Sequence, residues 1–216
     1  MRKMWISILI LCVSVPSFAK PLFEEDDPLS AWVRLDTNLF HGKKATGRCA
    51  EIFLTKGDLS PIDMYYFDSG DGLYQEVGIT AGVKAFKAFG LDFWALPYFV
   101  AATDADYFGP CLWINGGWGK IKFNSLPMFY VPLEKKGTEQ FTTCDTYLNY
   151  EITDNIQLGV GGNAYWSDEW SWRIGPNLKI KDPFSVLPGG SGDFTVRATW
   201  DRHGEWRLFL QKTFTF

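Results

Sequence analysis

Arg173, Lys179, Lys181, Arg197 and Arg207 all stand at odd positions near the end of a 216-residue chain, with Glu205 beside the last of them. On an extended backbone, side chains an even number of residues apart point the same way. Successive extended segments would therefore gather five cations on one face, where Lys84, Lys120 and Lys122 could join them. Such a face can guide acidic solutes, phosphates or oligosaccharide acids among them. The same face carries Asp36, Glu51, Glu76, Asp145, Glu151, Asp193 and Glu205. The charges can equally pair with one another and brace the fold, and both readings stay open at this level.

Little else has the spacing of reactive chemistry. His41 and His203 are the only histidines. In "WDRHGEW", His203 follows Asp201 by two residues, an arrangement in which an acid/base pair is conceivable. A turn histidine flanked by Asp, Arg and Gly is more often simply solvated. No GxSxG, HExxH or glycine-rich phosphate loop is present. Catalytic residues, metal ligands and cofactors are accordingly left unassigned. Beyond the leader described next, Cys49, Cys111 and Cys144 show no CxxC or Cys/His spacing. One disulfide could form among them in an oxidising compartment, leaving a free thiol.

The elements that would position these residues begin after "MRKMWISILILCVSVPSFAK". Arg2 and Lys3, an apolar run over Ile6–Val15, Pro16 and the small residues around Phe18 have the layout of a secretory signal peptide spanning residues 1–19. The run is too short to span a bilayer, which takes roughly 20 residues as a helix. The net charge of −4 becomes more acidic once Arg2 and Lys3 are removed, which argues against a nucleic-acid partner. Aromatic residues make up 17% and glycines number 21, a composition poorly suited to helices and well suited to strands and tight turns.

Alternation of apolar and polar residues then runs through most of the chain. Val77, Ile79, Ala81 and Val83 alternate with Glu76, Gly78, Thr80 and Gly82; Trp170, Trp172, Ile174 and Leu178 alternate with Ser171, Arg173, Gly175, Asn177 and Lys179. Phe194–Trp200 and Trp206–Phe216 repeat the pattern, with Phe209 the exception on the polar face. This is the signature of strands. A soluble barrel would turn its apolar face inward, whereas a membrane barrel faces lipid with it and keeps a polar lumen. The small, hydrogen-bonding polar face favours the membrane barrel. So do Trp166, Trp170, Trp172, Trp200 and Trp206 beside two expected hairpin tips, and Phe214 and Phe216 at the opposite end, where interfacial aromatic girdles would sit.

The ending resembles the C-terminal signature of Gram-negative outer-membrane β-barrel proteins, carried by Phe216, Phe214, Leu210 and Leu208. Lys212 departs from it at a position usually apolar, although a lysine can snorkel toward headgroups. The resemblance implies location in the outer membrane, contact with its lipid, and insertion by the barrel-assembly machinery through the last strand. It implies an all-β fold, a single antiparallel up-and-down transmembrane barrel. Twelve strands are expected, with ten as the alternative, over residues 31–216, after a periplasmic segment at 20–30. Short periplasmic turns are expected at 153–155, 124–126 and around Phe89, and bulges at Pro176 and Gly116–Gly117. The expected function is a small passive channel lined by Arg173, Lys179, Lys181, Arg197, Arg207 and Glu205, with a small acidic solute as candidate partner. A non-conducting surface scaffold or phage receptor is the alternative. A lipid-modifying enzyme with its site at the outer rim is a second.

Overall fold

In the computed structural model, residues 29–40, 46–70, 73–181 and 191–215 are described. The signal segment, most of 20–30, His41, the connection after Lys181 and Phe216 lie outside them. Twelve strands close into one antiparallel barrel in which each pairs with its sequence neighbours and the last returns to the first. They are β1 (Leu29–Phe40), β2 (Thr46–Lys56), β3 (Leu59–Asp68), β4 (Gln75–Ala88), β5 (Leu91–Ala102), β6 (Asp106–Trp118), β7 (Ile121–Pro132), β8 (Gln140–Thr153), β9 (Ile156–Trp166), β10 (Trp170–Lys181), β11 (Ser191–Asp201) and β12 (Trp206–Thr215). The count is twelve rather than ten. Closure runs from Trp32↔Thr215 to Phe40↔Arg207, so no edge strand is left exposed.

The two ends differ. At the end where β1 begins, two-residue turns join β2 to β3, β4 to β5, β6 to β7 and β8 to β9. Gly57 and Gly119 supply a positive φ at the first turn position, and Phe89 and Gly90 both take one, at 51° and 73°. At the other end the described connections are longer, reaching Leu133–Glu139 between β7 and β8, while the connection 182–190 at the first end lies outside the described residues. Short turns at one end and longer loops at the other are the habit of outer-membrane barrels, whose short turns face the periplasm. These are called the inner and outer ends below.

Three local expectations are corrected. The turn expected at 124–126 lies at Gly119–Lys120, where glycine meets the conformational demand. Asn124 and Ser125 are instead buried strand residues beside a bulge between Asn124 and Leu126, so their polarity reflects the lumen and not a turn. Pro176 causes no bulge: it pairs with Val160 in register, and the β10–β11 register is the same on either side of it. β6 stays in register with β5 down to Gly116, which accommodates the change of phase through a φ of 138°.

Apolar side chains cover the outside. Ile79, Leu148, Leu158, Trp172 and Ile174 each expose about half of their surface, as do residues on the outward faces of most other strands. A belt of this extent around a whole barrel is complementary to hydrocarbon and exceeds the patches usual on soluble proteins. The packed core therefore lies inside the barrel, and it is lopsided. β2 to β7 fill the interior with Phe53, Tyr65, Trp94, Leu96, Tyr98, Tyr107, Met128 and Tyr130. β8 to β12, with β1, line theirs mainly with Asn149, Asn177, Thr195, Arg197, Thr199, Gln211, Asp36 and Asn38.

Candidate functional site

Polar residues of β1, β2, β8, β10 and β11 meet near mid-height of the lumen. Arg34 on β1 lies 3.3 Å from Asp36, 2.9 Å from Glu51 on β2, and 3.7 Å from Asp145 on β8. Arg197 on β11 holds the other oxygen of Asp145 at 2.8 Å and donates through Nε to Asn177, which donates to Asn149. In barrel order β1 and β8 are five strands apart, so the Arg34–Asp145 contact crosses the lumen.

Two backbone features permit this bridge. The β8–β9 register shifts between Thr143 and Thr146, and within that bulge Asp145 takes a φ of 43°. A left-handed aspartate is uncommon and costs energy, which fits a residue held by two guanidinium groups. Beside Arg197, Gly161 leaves open a space where a β-carbon would sit 2.6 Å from Nε. Arg197 is consequently buried, with its guanidinium carbon 4.9 Å from the Phe209 ring centre and 6.0 Å from that of Tyr147.

A cavity opens on either side of the bridge, and both are lined by Arg34 and Asp145. The outer chamber, about 480 Å³, also meets Glu76, Tyr130, Gln140, Arg197 and Arg207. The inner chamber is smaller, about 140 Å³, and is bordered by Glu51, Asp63, Tyr147, Lys179 and Gln211. An aromatic stack narrows the inner half: Trp32 lies 5.1 Å from Phe53, and Phe53 lies 5.0 Å from Trp113, which contacts Trp94. Above the stack, Tyr98 donates to Asp63.

The cations singled out from sequence are spread along the axis. Arg197 and Arg207 border the outer chamber, where Arg207 donates to Asn163 at 2.8 Å. Lys179 borders the inner chamber and pairs with Asp193 at 2.7 Å. Arg173 sits near the outer rim, 3.1 Å from Asp201 and 3.7 Å from Glu205. Glu205 lies exposed in the β11–β12 loop and Lys181 exposed at the end of β10, so neither borders a chamber. Lys84 pairs with Asp58 at an inner turn, and Lys122 pairs with Glu151. Trp166, Trp170, Trp200 and Trp206 stand at the outer ends of β9 to β12, Trp172 two residues further in, and Phe214 at the inner end of β12. Lys212 points its ammonium over the Phe214 ring at 5.3 Å.

At the outer tip, Asp201 accepts the backbone N–H groups of His203 and Glu205, while the His203 ring accepts from Arg202. The aspartate shapes the turn and does not face the imidazole as an acid/base partner. The three cysteines are free thiols, and no metal-ligating cluster occurs among the described residues.

Sequence reasoning did not single out Arg34 or the tyrosines. Arg34 was readable as a polar-face residue of β1 between Val33 and Leu35. The tyrosines lie on strands such as β5, where Trp94, Leu96, Tyr98 and Val100 point inward and Ala95, Pro97 and Phe99 point outward, so polarity does not distinguish the faces.

No family model and no curated protein matches this chain. Solved structures do. The chain is similar to the KdgM porin with a TM-score of 0.61 at 7% identity, over 86% of this chain and 99% of that one. A structure described as the KdgM porin in complex with disordered oligogalacturonate gives 0.60 at 7% identity, over 86% and 99%. The NanC porin gives 0.59 at 10% identity, over 84% and 98%. At these identities the likeness is one of fold, and it spans nearly the whole of each porin.

Proposed function

We propose that this chain is a passive channel of the bacterial outer membrane for small polar solutes. The observation that carries this reading is the pair of chambers stacked on the barrel axis and lined by charged groups, inside a wall whose exterior is apolar. A barrel of about 8 strands is filled by its side chains and one of 16 leaves an open channel; the present one has a constriction at Arg34–Asp145. The porin fold of KdgM and NanC supports the same reading.

Within that channel, Arg173, Arg197, Arg207 and Lys179 form a basic track down β10 to β12 that draws the anionic group of a small acidic solute toward the constriction. The exposed Glu205 and Lys181 mark its two mouths. Trp166, Trp170, Trp172, Trp200 and Trp206 serve as the outer interfacial girdle, and Phe214 as the inner one. Lys212 accommodates the departure from the terminal signature by reaching over Phe214. The closing strand β12 is the segment offered to the barrel-assembly machinery.

A second reading, a non-conducting surface scaffold, draws on the aromatic stack that occupies much of the inner half. Swelling of liposomes containing the refolded protein separates the two. A channel admits small sugars at rates that fall with solute size, whereas a filled barrel leaves the liposomes as tight as protein-free ones.

A further inference from the structure

The outer chamber has two chemically opposed walls. Resting on the channel reading above, we propose that it is a binding site for small zwitterionic solutes, which carry an anionic group at one end and an ammonium group at the other.

One wall is cationic. Arg197 on β11 and Arg207 on β12 border the chamber, with Arg34 at its floor. A guanidinium has five N–H donors, and the bonds of Arg197 to Asn177 and Asp145 use only Nε and Nη2. The arrangement suits a carboxylate arriving from the chamber.

The facing wall is anionic and built from tyrosines. In barrel order β4 stands opposite β10, and the β5–β6 loop stands opposite β11 and β12. From that side Glu76 on β4 and Asp104 in the loop border the chamber. Glu76 accepts from Tyr74 at 2.6 Å and from Tyr130 at 3.1 Å, and Tyr130 also meets the Tyr65 hydroxyl. Asp104 accepts from Tyr107 at 2.6 Å and from the Ala105 N–H. Gln140 and Tyr165 continue this belt.

The difference in pairing is what points to a ligand. If all lumen charges merely braced the barrel, each carboxylate would face a cation. Asp36, Glu51 and Asp145 do so through Arg34 and Arg197. Glu76 and Asp104 are held only by neutral donors among the described residues. Asp63, which accepts from Tyr98, likewise lies in no ion pair among them, but it borders the inner chamber, and of the three only Glu76 and Asp104 border the outer one. Hydroxyl donors fix a carboxylate in place without cancelling its charge, and its two oxygens offer about four acceptor positions. An ammonium group would find acceptors there while its own carboxylate meets Arg197 and Arg207. A purely anionic solute meets Glu76 and Asp104 as repulsion, and a purely cationic one meets the guanidiniums the same way. The chamber volume of about 480 Å³ falls within the roughly 300–1,000 Å³ of small-molecule sites.

The test is calorimetric titration of the folded protein in detergent micelles with L-glutamine, glutarate and xylitol, three small solutes that differ in charge. Ion conductance of the same preparation is recorded in planar bilayers. Saturable binding of glutamine is expected, with glutarate and xylitol at least about tenfold weaker, the scale of one charge-assisted hydrogen bond. Glu76→Gln, which preserves shape, is expected to bring glutamine toward the xylitol level. Asp104→Asn, outside the strands, provides the same comparison should Glu76→Gln fail to fold. Binding of glutarate as tight as that of glutamine overturns the proposal, as does indifference of a folded variant to the loss of its carboxylate. Conduction without this preference sinks the zwitterion site and leaves the channel standing. Binding without conduction sinks the channel and leaves the site, and a folded barrel that does neither overturns both.

Discussion

Arg34 on the first strand and Asp145 on the eighth meet across the lumen at 3.7 Å, and the two chambers of the barrel share only this pair as a common border. A pair so placed separates the outer mouth from the inner one by charge as well as by bulk. Asp145 also holds Arg197, so one carboxylate couples both sides of the basic track.

Removing that carboxylate tests the constriction. Asp145→Ala widens the narrowest point and leaves two guanidiniums facing the solute path. One unit charge about 5 Å from a passing ion in a water-filled lumen is worth ~0.8 kcal/mol, about fourfold in partition. Single-channel recording is expected to show higher conductance and a reversal potential shifted toward chloride. An unchanged reversal potential would count against Asp145 as the constriction. The loss of a partner from buried guanidiniums also destabilises the barrel.

Widening by a neutral route gives a separate expectation. Trp113 touches Trp32, Phe53 and Trp94, so Trp113→Ala removes the centre of the stack that narrows the inner half. Conductance is expected to rise with little change in ion preference. Stability should fall by less than the ~3–5 kcal/mol that truncating a fully buried tryptophan costs, because Trp113 is only partly buried, measured as a lower urea midpoint.

The assignment of faces can be tested on β12. Leu210 points outward, and Thr213 borders the inner chamber. Leu210→Arg would place a charge against lipid at about 2–4 kcal/mol near the midplane, whereas a lumen change mostly tunes selectivity. Assembly, read as the heat-modifiable band on a gel, is expected to suffer far more in Leu210→Arg than in Thr213→Arg. Equal damage in both variants would mean the faces are misassigned.

Close packing inside the barrel predicts a cost at a glycine. A β-carbon at Gly78 would sit 2.2 Å from the Tyr65 ring, which is buried and bonded to Tyr130. Gly78→Ala is expected to destabilise by about 1–3 kcal/mol, again visible in the urea midpoint. A midpoint equal to wild type would show that Tyr65 has room to move.

The strands were legible because lipid imposes a strong pattern. Val77, Ile79 and Ala81 against Glu76, Gly78 and Thr80 could be read directly, since one face meets hydrocarbon and the other a polar lumen. The pattern faded on β5 to β7, where the lumen face is itself aromatic and both faces of Trp94–Val100 are apolar. Asn124 and Ser125 misled for a related reason, because small polar residues serve turns and lumen walls alike. Arg197 and Arg207 could be placed on the inward face from parity alone. The meeting of Arg34 with Asp145 could not, because it depends on barrel closure and on a bulge that no local pattern announces. The facing of Glu76 and Asp104 toward the basic wall likewise depends on which strands lie opposite.

The most direct measurement is single-channel conductance of the folded protein in a planar bilayer, with reversal potentials in a salt gradient. A passive channel predicts steady, ohmic openings whose ion preference moves when Asp145 is neutralised. A barrel that inserts, shows heat modifiability and never conducts would contradict the channel and favour a non-conducting surface protein.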